Sequence, residues 1–433
     1  MRPAMAAKTT HDRAVLVGLM TPGSGREAAE AALDELAGLV EAAGIDVAMR
    51  AGQERQRPDP ATFIGRGKVE TLRRASDELG ADLVVFDNEL TPAQLRNLER
   101  ALDRRVLDRT QVILDIFARR ARTREGKLQV ELAQLQYLLP RLVGARAALS
   151  RLGGGIGTRG PGETKLETDR RKIRQRIAAL TRELVDVRQR RSQLRERRRE
   201  ADTPSVTMVG YTNAGKTTLF NRLAREDATA SDALFVTLDP LVRRVRLPKG
   251  PGLLLSDTVG VIERLPHTLV AAFRATLEEV VEADLLLHVA DASSPDLDRH
   301  LEAVRHVLEE VEASEVPRLL VLNKADRLPP DGPERLAARY PGACVVSARD
   351  GSGIDQLLEE MARLLGLDTR VFTVELDLSE PAQRAHLAVL HRQARVLRQD
   401  EHGGRGRLGG GVARRVPRGR GARRPPGRRG RGC

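Results

Sequence analysis

Positions 14–20 (Ala-Val-Leu-Val-Gly-Leu-Met) form a short apolar run. A run of this length, unalternated, predicts a strand buried on both faces. Residues 26–43, rich in Ala and Leu, read as an amphipathic helix, and strand-like runs recur at 46–49 and 82–87. Helices are predicted over 66–79 and 91–102. Strands alternating with helices imply βαβ units and a parallel sheet, so residues 1–117 are expected to form an N-terminal α/β domain.

The pattern then changes. Leu128, Leu132, Leu135, Leu139 and Leu142 step by 4, 3, 4 and 3. Ile173, Ile177, Leu180, Leu184, Val187 and Leu194 keep the same seam, with Arg191 filling one position. A narrow stripe with this step predicts two helices packed on each other. A Gly-rich stretch lies between them, so residues 118–202 are expected to be an antiparallel hairpin with a mobile tip at 149–165. Strand–helix alternation resumes over 203–367 and predicts a doubly wound, mostly parallel sheet. Residues 368–402 (a strand at 371–377, a helix at 380–398) read as a small C-terminal α+β unit. No internal repeat is visible.

Composition changes this picture in three places. Aromatic residues are only 2% and Trp is absent, so the cores must be built from Leu, Val and Ala. No apolar run reaches the ~18 residues of a membrane span, and the first dozen residues lack the charged start and apolar stretch by which a secretory signal would be expected to show. The two cysteines, Cys344 and Cys433, form neither a disulfide framework nor a metal cluster, which suits a reducing cytoplasm. Charge is the third. Residues 403–433 hold eleven Arg and no Lys or acid, and removing them from the net +13 leaves only +2. Residues 168–200 alone carry thirteen Lys/Arg against five Asp/Glu, or +8. Positive charge is therefore concentrated in the second hairpin helix and in the tail.

That tail is nearly all Arg, Gly, Pro and Ala, amino acids with G/C-rich codons. A reading-frame slip would produce such a composition; a genuine Arg/Gly-rich RNA-binding arm is the alternative. In either case 403–433 is expected to be disordered, and the preceding unit to lack a closing strand.

Gly210-Tyr211-Thr212-Asn213-Ala214-Gly215-Lys216-Thr217 follows a predicted strand at 206–209 and precedes a predicted helix at 218–224. The two glycines let backbone N–H groups curl around phosphates, and the helix N-terminus (with Thr218) adds its positive end. Lys216 is expected to reach the β- and γ-phosphates, and the Thr217 hydroxyl to ligate Mg²⁺. Asp257-Thr258-Val259-Gly260 follows an apolar strand; Asp257 is expected to hold Mg²⁺ through water, and the Gly260 N–H to meet the γ-phosphate. Between these motifs, Phe235-Val236-Thr237 offers a switch threonine as a further Mg²⁺ ligand. Lys216, Thr237 and Gly260 are thus the expected catalytic groups.

Asn323-Lys324-Ala325-Asp326 follows a strand at 319–322. A carboxylate at Asp326 accepts both N1–H and the 2-amino group of guanine, donors that adenine lacks. Asn323 supports the base and its loop, the Lys324 stem covers the ring, and Ser347-Ala348-Arg349 offers backbone N–H groups to guanine O6. These motifs in this order predict a P-loop domain that binds GTP and GDP and hydrolyses GTP. Val261 stands where many such enzymes have a water-orienting Gln, so hydrolysis is expected to be slow without help. His267 reads as a surface residue rather than a substitute base. Asn213 could present its amide oxygen to K⁺. Gly65-Arg66-Gly67-Lys68 lacks the phosphate-loop spacing and reads as a tight β–α turn rather than a second nucleotide site.

With these residues in view the chain resembles the HflX family of ribosome-associated GTPases. The resemblance covers most of 14–400. It rests on Pro60 through Lys68, Phe86 through Pro92, Asp108-Arg109-Thr110, Gly160 through Lys165, Glu167 through Arg171, Phe235 through Pro240, Leu265-Pro266-His267 and Phe273 through Glu279. It implies a factor, expected to be monomeric, that binds the large ribosomal subunit and its rRNA in the GTP state and splits stalled ribosomes under stress. It further implies that the hairpin tip contacts rRNA. The basic second helix and the glycine-dense tip, with Arg151, Arg159 and Lys165 nearby, agree with phosphate contact. A ribosome-bound module using nucleotide only as a structural ligand, and a general RNA-binding regulator, are the competing readings.

Overall fold

The computed structural model describes residues 12–22, 25–143, 161–200, 203–225, 235, 241–248, 252–262, 279–367, 369–377, 380–381, 395–402 and 405–413. The chain divides into two compact units, residues 1–244 with 254–352, and residues 245–253 with 353–433.

The first unit opens with strands β1 (Arg13–Met20), β2 (Asp46–Glu54), β3 (Leu83–Phe86) and β4 (Arg105–Asp108), all parallel in the order β2-β1-β3-β4. Helices α1 (Arg26–Ala42), α2 (Arg66–Leu79), α3 (Pro92–Leu102) and α4 (Arg109–Arg120) connect and cover them. Along β1 the side chains alternate between two cores. Ala14 and Leu16 pack with Leu36, Leu39, Val40, Val112, Ile113 and Phe117 of α1 and α4. Val15 and Val17 pack with Val69, Leu72, Leu98 and Leu102 of α2 and α3. The central strands β1 and β3 are covered on both faces, which is why they are the apolar ones. Strand β4 does not stand out in the sequence because it has only two apolar residues, Val106 and Leu107, and Asp108 and Arg109 pass directly from it into α4. Gly65 caps α2 at the end of the 55–65 connection from β2, not in the tight β–α turn expected, and its N–H donates to Gln53 Oε1 at 2.8 Å.

Helices α5 (Arg124–Val143) and α6 (Pro161–Glu200) follow. Leu128, Leu132 and Leu135 of α5 pack on Ile177, Leu180 and Leu184 of α6. Arg124 pairs with Glu183 at 3.2 Å and Glu131 with Arg176 at 2.7 Å. Seven residues forward on one helix thus match seven back on the other, and the pair is antiparallel. The helix begins at Pro161, so residues 161–165 of the expected tip, Lys165 included, are helical; proline suits a first helical position, where its missing N–H is not needed. Arg151 and Arg159 lie outside the described residues.

Next comes a six-stranded sheet in the order β10-β9-β8-β5-β7-β6, built from β5 (Ser205–Gly210), β6 (Leu241–Val245), β7 (Leu253–Asp257), β8 (Leu285–Asp291), β9 (Arg318–Asn323) and β10 (Cys344–Val345). The pairs β10–β9, β9–β8, β8–β5 and β5–β7 are parallel. Helices α7 (Lys216–Ala224), α8 (Leu297–Glu310) and α9 (Gly332–Arg339) accompany it. Val304, Val307 and Leu308 of α8 pack on Val209 and Leu286.

His288, buried on β8, is pushed down to about 4 by burial and by the cations of Arg318 and Lys216. Its ordinary value is 6.5, so the unfolded chain binds a proton that the fold refuses between pH 6.5 and 4. Stability falls as pH drops through that window, by about 2 kcal/mol at pH 5 for this group alone. The difference in unfolding midpoint between pH 7 and pH 5 should shrink in His288→Leu.

The second unit contains α10 (Ile354–Leu364) and a three-stranded antiparallel sheet of β11 (Thr369–Asp377), β12 (Arg395–His402) and β13 (Arg405–Ala413), ordered β11-β13-β12. Two expectations are corrected. The helix predicted over 380–398 does not extend to its end, since 395–402 is strand; 382–394 lie outside the described residues. The disorder expected from 403 onward fails for 405–413, which form the central strand and supply the closing partner expected to be missing. A central strand satisfies its backbone groups on both edges, and that ladder needs few apolar side chains. Residues 414–433 lie outside the described residues.

Candidate active site

The loop from Gly210 to Thr217 joins β5 to α7 at the C-terminal edge of the six-stranded sheet. Two glycines are sterically required. A Cβ on Gly210 would meet the Val289 carbonyl oxygen of β8 at 2.1 Å. Gly215 has φ +83, and a Cβ there would lie 2.3 Å from Asn323 Nδ2. The loop can therefore press against β8 and β9 only with hydrogen at both positions.

Lys216 is buried, and its ammonium donates to the carbonyls of Gly210 (2.9 Å) and Tyr211 (2.7 Å). The Thr217 hydroxyl donates to Asp257 Oδ2 at 2.9 Å, at the end of β7. A hard cation could be shared between these two oxygens, so the pair fits Mg²⁺. The Thr258 hydroxyl donates to the Met208 carbonyl at 2.6 Å and pins the segment after β7 to β5. Gly260 sits close by: a Cβ on it would lie 2.8 Å from Thr212 Cγ2 and 3.0 Å from Lys216 Nζ. The buried Thr212 hydroxyl has no protein partner among the described residues, a spare donor in this cradle. Val261 is buried, and it acts through its backbone. Its N–H donates to the Gly210 carbonyl at 3.0 Å, and its carbonyl accepts from Thr212 N–H at 2.7 Å. Phe235 is buried and meets Phe117 of α4 edge-on, with centroids 4.8 Å apart. Val236, Thr237 and His267 lie outside the described residues.

Burial pushes the Lys216 ammonium down to about 8, a fall only partly opposed by Asp257. A nucleotide phosphate beside it would raise it again. GDP binding at pH 8.5 should therefore take up protons, read as a dependence of calorimetric binding enthalpy on buffer ionisation enthalpy. At pH 7, where Lys216 is already charged, that dependence should fade.

On the other side, Asn323 at the end of β9 bridges two loops. Its Nδ2 donates to the Ala214 carbonyl at 2.9 Å, and its Oδ1 accepts from Ala348 N–H at 3.0 Å. Lys324, in the left-handed region with φ 65, pairs with Asp291 Oδ2 at 2.8 Å and lies 3.5 Å from Asn213 Oδ1. Burial alone would raise the Asp291 carboxyl, but Lys324 and Ser293 hold it below its ordinary value. Ala325 N–H donates to the Val346 carbonyl at 3.1 Å, seating the turn that carries Asp326. Ser347 Oγ donates to Asp326 Oδ1 at 2.8 Å. Arg222 of α7 donates to the carbonyls of Ala348 (3.2 Å) and Arg349 (2.6 Å) and holds that loop in place. Of the three N–H groups expected to meet guanine O6, that of Ser347 donates to the Ser352 carbonyl at 3.0 Å and that of Ala348 to Asn323. Sequence reasoning passed over Asp291 and Arg222. Asp291 could have been noticed as an acid ending an apolar strand; nothing local marks Arg222.

Family models match along most of the chain: "GTP-binding GTPase N-terminal" over residues 30–118, "GTP-binding GTPase Middle Region" over 120–198, and "50S ribosome-binding GTPase" over 205–324. GTPase HflX of Escherichia coli K12 is 48% identical over 355 residues, covering 82% of this chain and 83% of that protein. The chain belongs to the HflX family of GTPases. HflX of Caldanaerobacter subterraneus is 49% identical over 362 residues, covering 83% of this chain and 82% of its own. A GTP-binding protein from Sulfolobus solfataricus, solved with GDP, aligns over 82% of this chain and 98% of its own, at 25% identity and a TM-score of 0.43. As an HflX GTPase the chain binds guanine nucleotide and hydrolyses GTP. Among its described residues, no helix is long and apolar enough to cross a membrane.

Proposed function

We propose that this HflX GTPase binds the large ribosomal subunit in its GTP state, contacts rRNA through the hairpin tip, and splits stalled ribosomes under stress. The observation that carries the reading is the joining of the GTP site to a 40-residue helix whose 168–200 segment has a net charge of +8. Unbalanced basic charge on an exposed helix suits a phosphate backbone. The description of the 205–324 family model, a 50S ribosome-binding GTPase, supports the same partner. Co-sedimentation with separated ribosomal subunits tests it. Retention on the large subunit with a GTP analogue and release with GDP are expected; equal binding in both would overturn the reading.

Within the site, Lys216 takes the β- and γ-phosphates; Thr217, Asp257 and Thr237 would hold Mg²⁺, which would neutralise developing phosphate charge there. Gly260 N–H orients the γ-phosphate. Asp326 reads guanine, Asn323 and Lys324 brace it, and the 347–349 loop turns a backbone N–H toward O6. Val261 offers no side-chain group to orient water, so turnover without the ribosome is slow.

Asn213 also stands in the left-handed region, with φ 59. It can turn its amide oxygen from Lys324 toward a monovalent cation beside the phosphates, which would supply the charge that an arginine finger gives elsewhere. Hydrolysis in potassium should exceed that in sodium at matched ionic strength. Equal turnover assigns Asn213 to loop stabilisation alone.

A further inference from the structure

Asp108 and Arg109 are adjacent in sequence, both buried at the junction of β4 and α4, and they engage different parts of the first unit. Arg109 donates to Asp87 Oδ1 at 2.9 Å and to Glu35 of α1. Glu35 in turn accepts from the hydroxyl of Tyr211, the second residue of the phosphate loop. The Tyr211 ring is stacked on His300 of α8, with centroids 4.0 Å apart and planes 17° from parallel. Asp108 looks to the hairpin. It accepts from Tyr137 Oη at 2.8 Å and from Arg141 Nη2 at 2.9 Å, both on α5, as well as from Gln111 N–H (3.0 Å) and Leu90 N–H (3.3 Å). The Arg141 guanidinium lies 3.3 Å over the Tyr137 ring.

A buried network of this kind moves as a unit, because displacing one member leaves another charge uncompensated. Its far end reaches the reaction site through Tyr211, whose carbonyl is one of the two acceptors of the Lys216 ammonium. A bound phosphate competes for that ammonium, so phosphate binding and the position of Tyr211 are linked.

We propose that Asp108 and Arg109 form a positioning pair that couples the phosphate loop to the helical hairpin, through Glu35 and Tyr211 on one side and Tyr137 and Arg141 on the other. Nucleotide binding then biases the seat of α5, and by reciprocity the seat of α5 sets nucleotide preference. The proposal rests on the nucleotide site and is independent of what the hairpin tip contacts.

The test is an equilibrium titration of the full chain with GDP and with a non-hydrolysable GTP analogue. Tyr137→Phe keeps the ring under Arg141 and removes only the hydroxyl, which donates to Asp108 Oδ1 at 2.8 Å and lies 3.5 Å from Gln111 Oε1. Its ratio of the two affinities should shift by about 5-fold or more from the parent. In a Tyr211→Phe background the same substitution should shift the ratio by less than about 2-fold, since the connection is already cut. Arg176→Met, which breaks an ion pair farther along the hairpin, should leave the ratio unchanged. A merely structural role for Asp108 and Arg109 would lower the melting temperature of Tyr137→Phe without moving the ratio. An unmoved ratio, or equal shifts in the two backgrounds, overturns the proposal.

Discussion

Asp326→Asn should lower GTP affinity by roughly 10²- to 10³-fold and turn preference toward xanthosine nucleotides. Two charge-assisted hydrogen bonds from guanine N1–H and the 2-amino group end on one carboxylate, and an amide can accept only one of them. Its NH₂ would face a donor, an unpaired arrangement costing about 1–3 kcal/mol beyond the lost bond. Xanthine carries an oxygen at position 2 and restores the match. The fold should tolerate the change, because the retained amide oxygen can still accept from Ser347 Oγ, which now bonds Asp326 at 2.8 Å. Competition titrations with GDP and xanthosine diphosphate decide the matter; undiminished GDP affinity would remove Asp326 from the base-reading role.

Lys216→Met should reduce GTP turnover by about 10³-fold or more, the range expected when a preorganised charge beside the transferring phosphoryl group is lost. Methionine fills most of the buried volume, so the loop should remain folded. It cannot donate to the Gly210 and Tyr211 carbonyls, which accept the ammonium at 2.9 and 2.7 Å, so some loosening of the loop is expected as well. Single-turnover hydrolysis at saturating GTP separates the two effects. A rate within about tenfold of the parent would mean that the ammonium serves binding alone. The proton uptake expected on GDP binding at pH 8.5 should disappear in the same variant.

Much of this was legible without coordinates, for a physical reason. The phosphate loop, the Asp257–Gly260 segment and the Asn323–Asp326 turn each sit at the end of an apolar strand, and strand periodicity is local. The hairpin seam was legible for the same reason: Leu128, Leu132, Leu180 and Leu184 meet as their spacing requires. The C-terminal unit was misread because its signal is not local. Residues 405–413 have little apolar content of their own, and they form a strand because β11 and β12 flank them on both sides.

The sequence by itself supplied the candidate chemistry: which residues are proposed to hold phosphates and guanine, and which helix carries the positive charge. Tertiary structure decided what those residues are tied to. Glu35 and Tyr211 are 176 positions apart, and no spacing rule spans that distance. Val261 looked informative for the side chain it lacks, yet its backbone is what joins the phosphate loop. Asp108 and Arg109 stood in the sequence only as part of a motif that carried the family resemblance. Only the packing of α1, α4 and α5 around β4 shows that burial leaves these charges no solvent and obliges them to bond the hairpin on one side and, through Glu35, the nucleotide loop on the other.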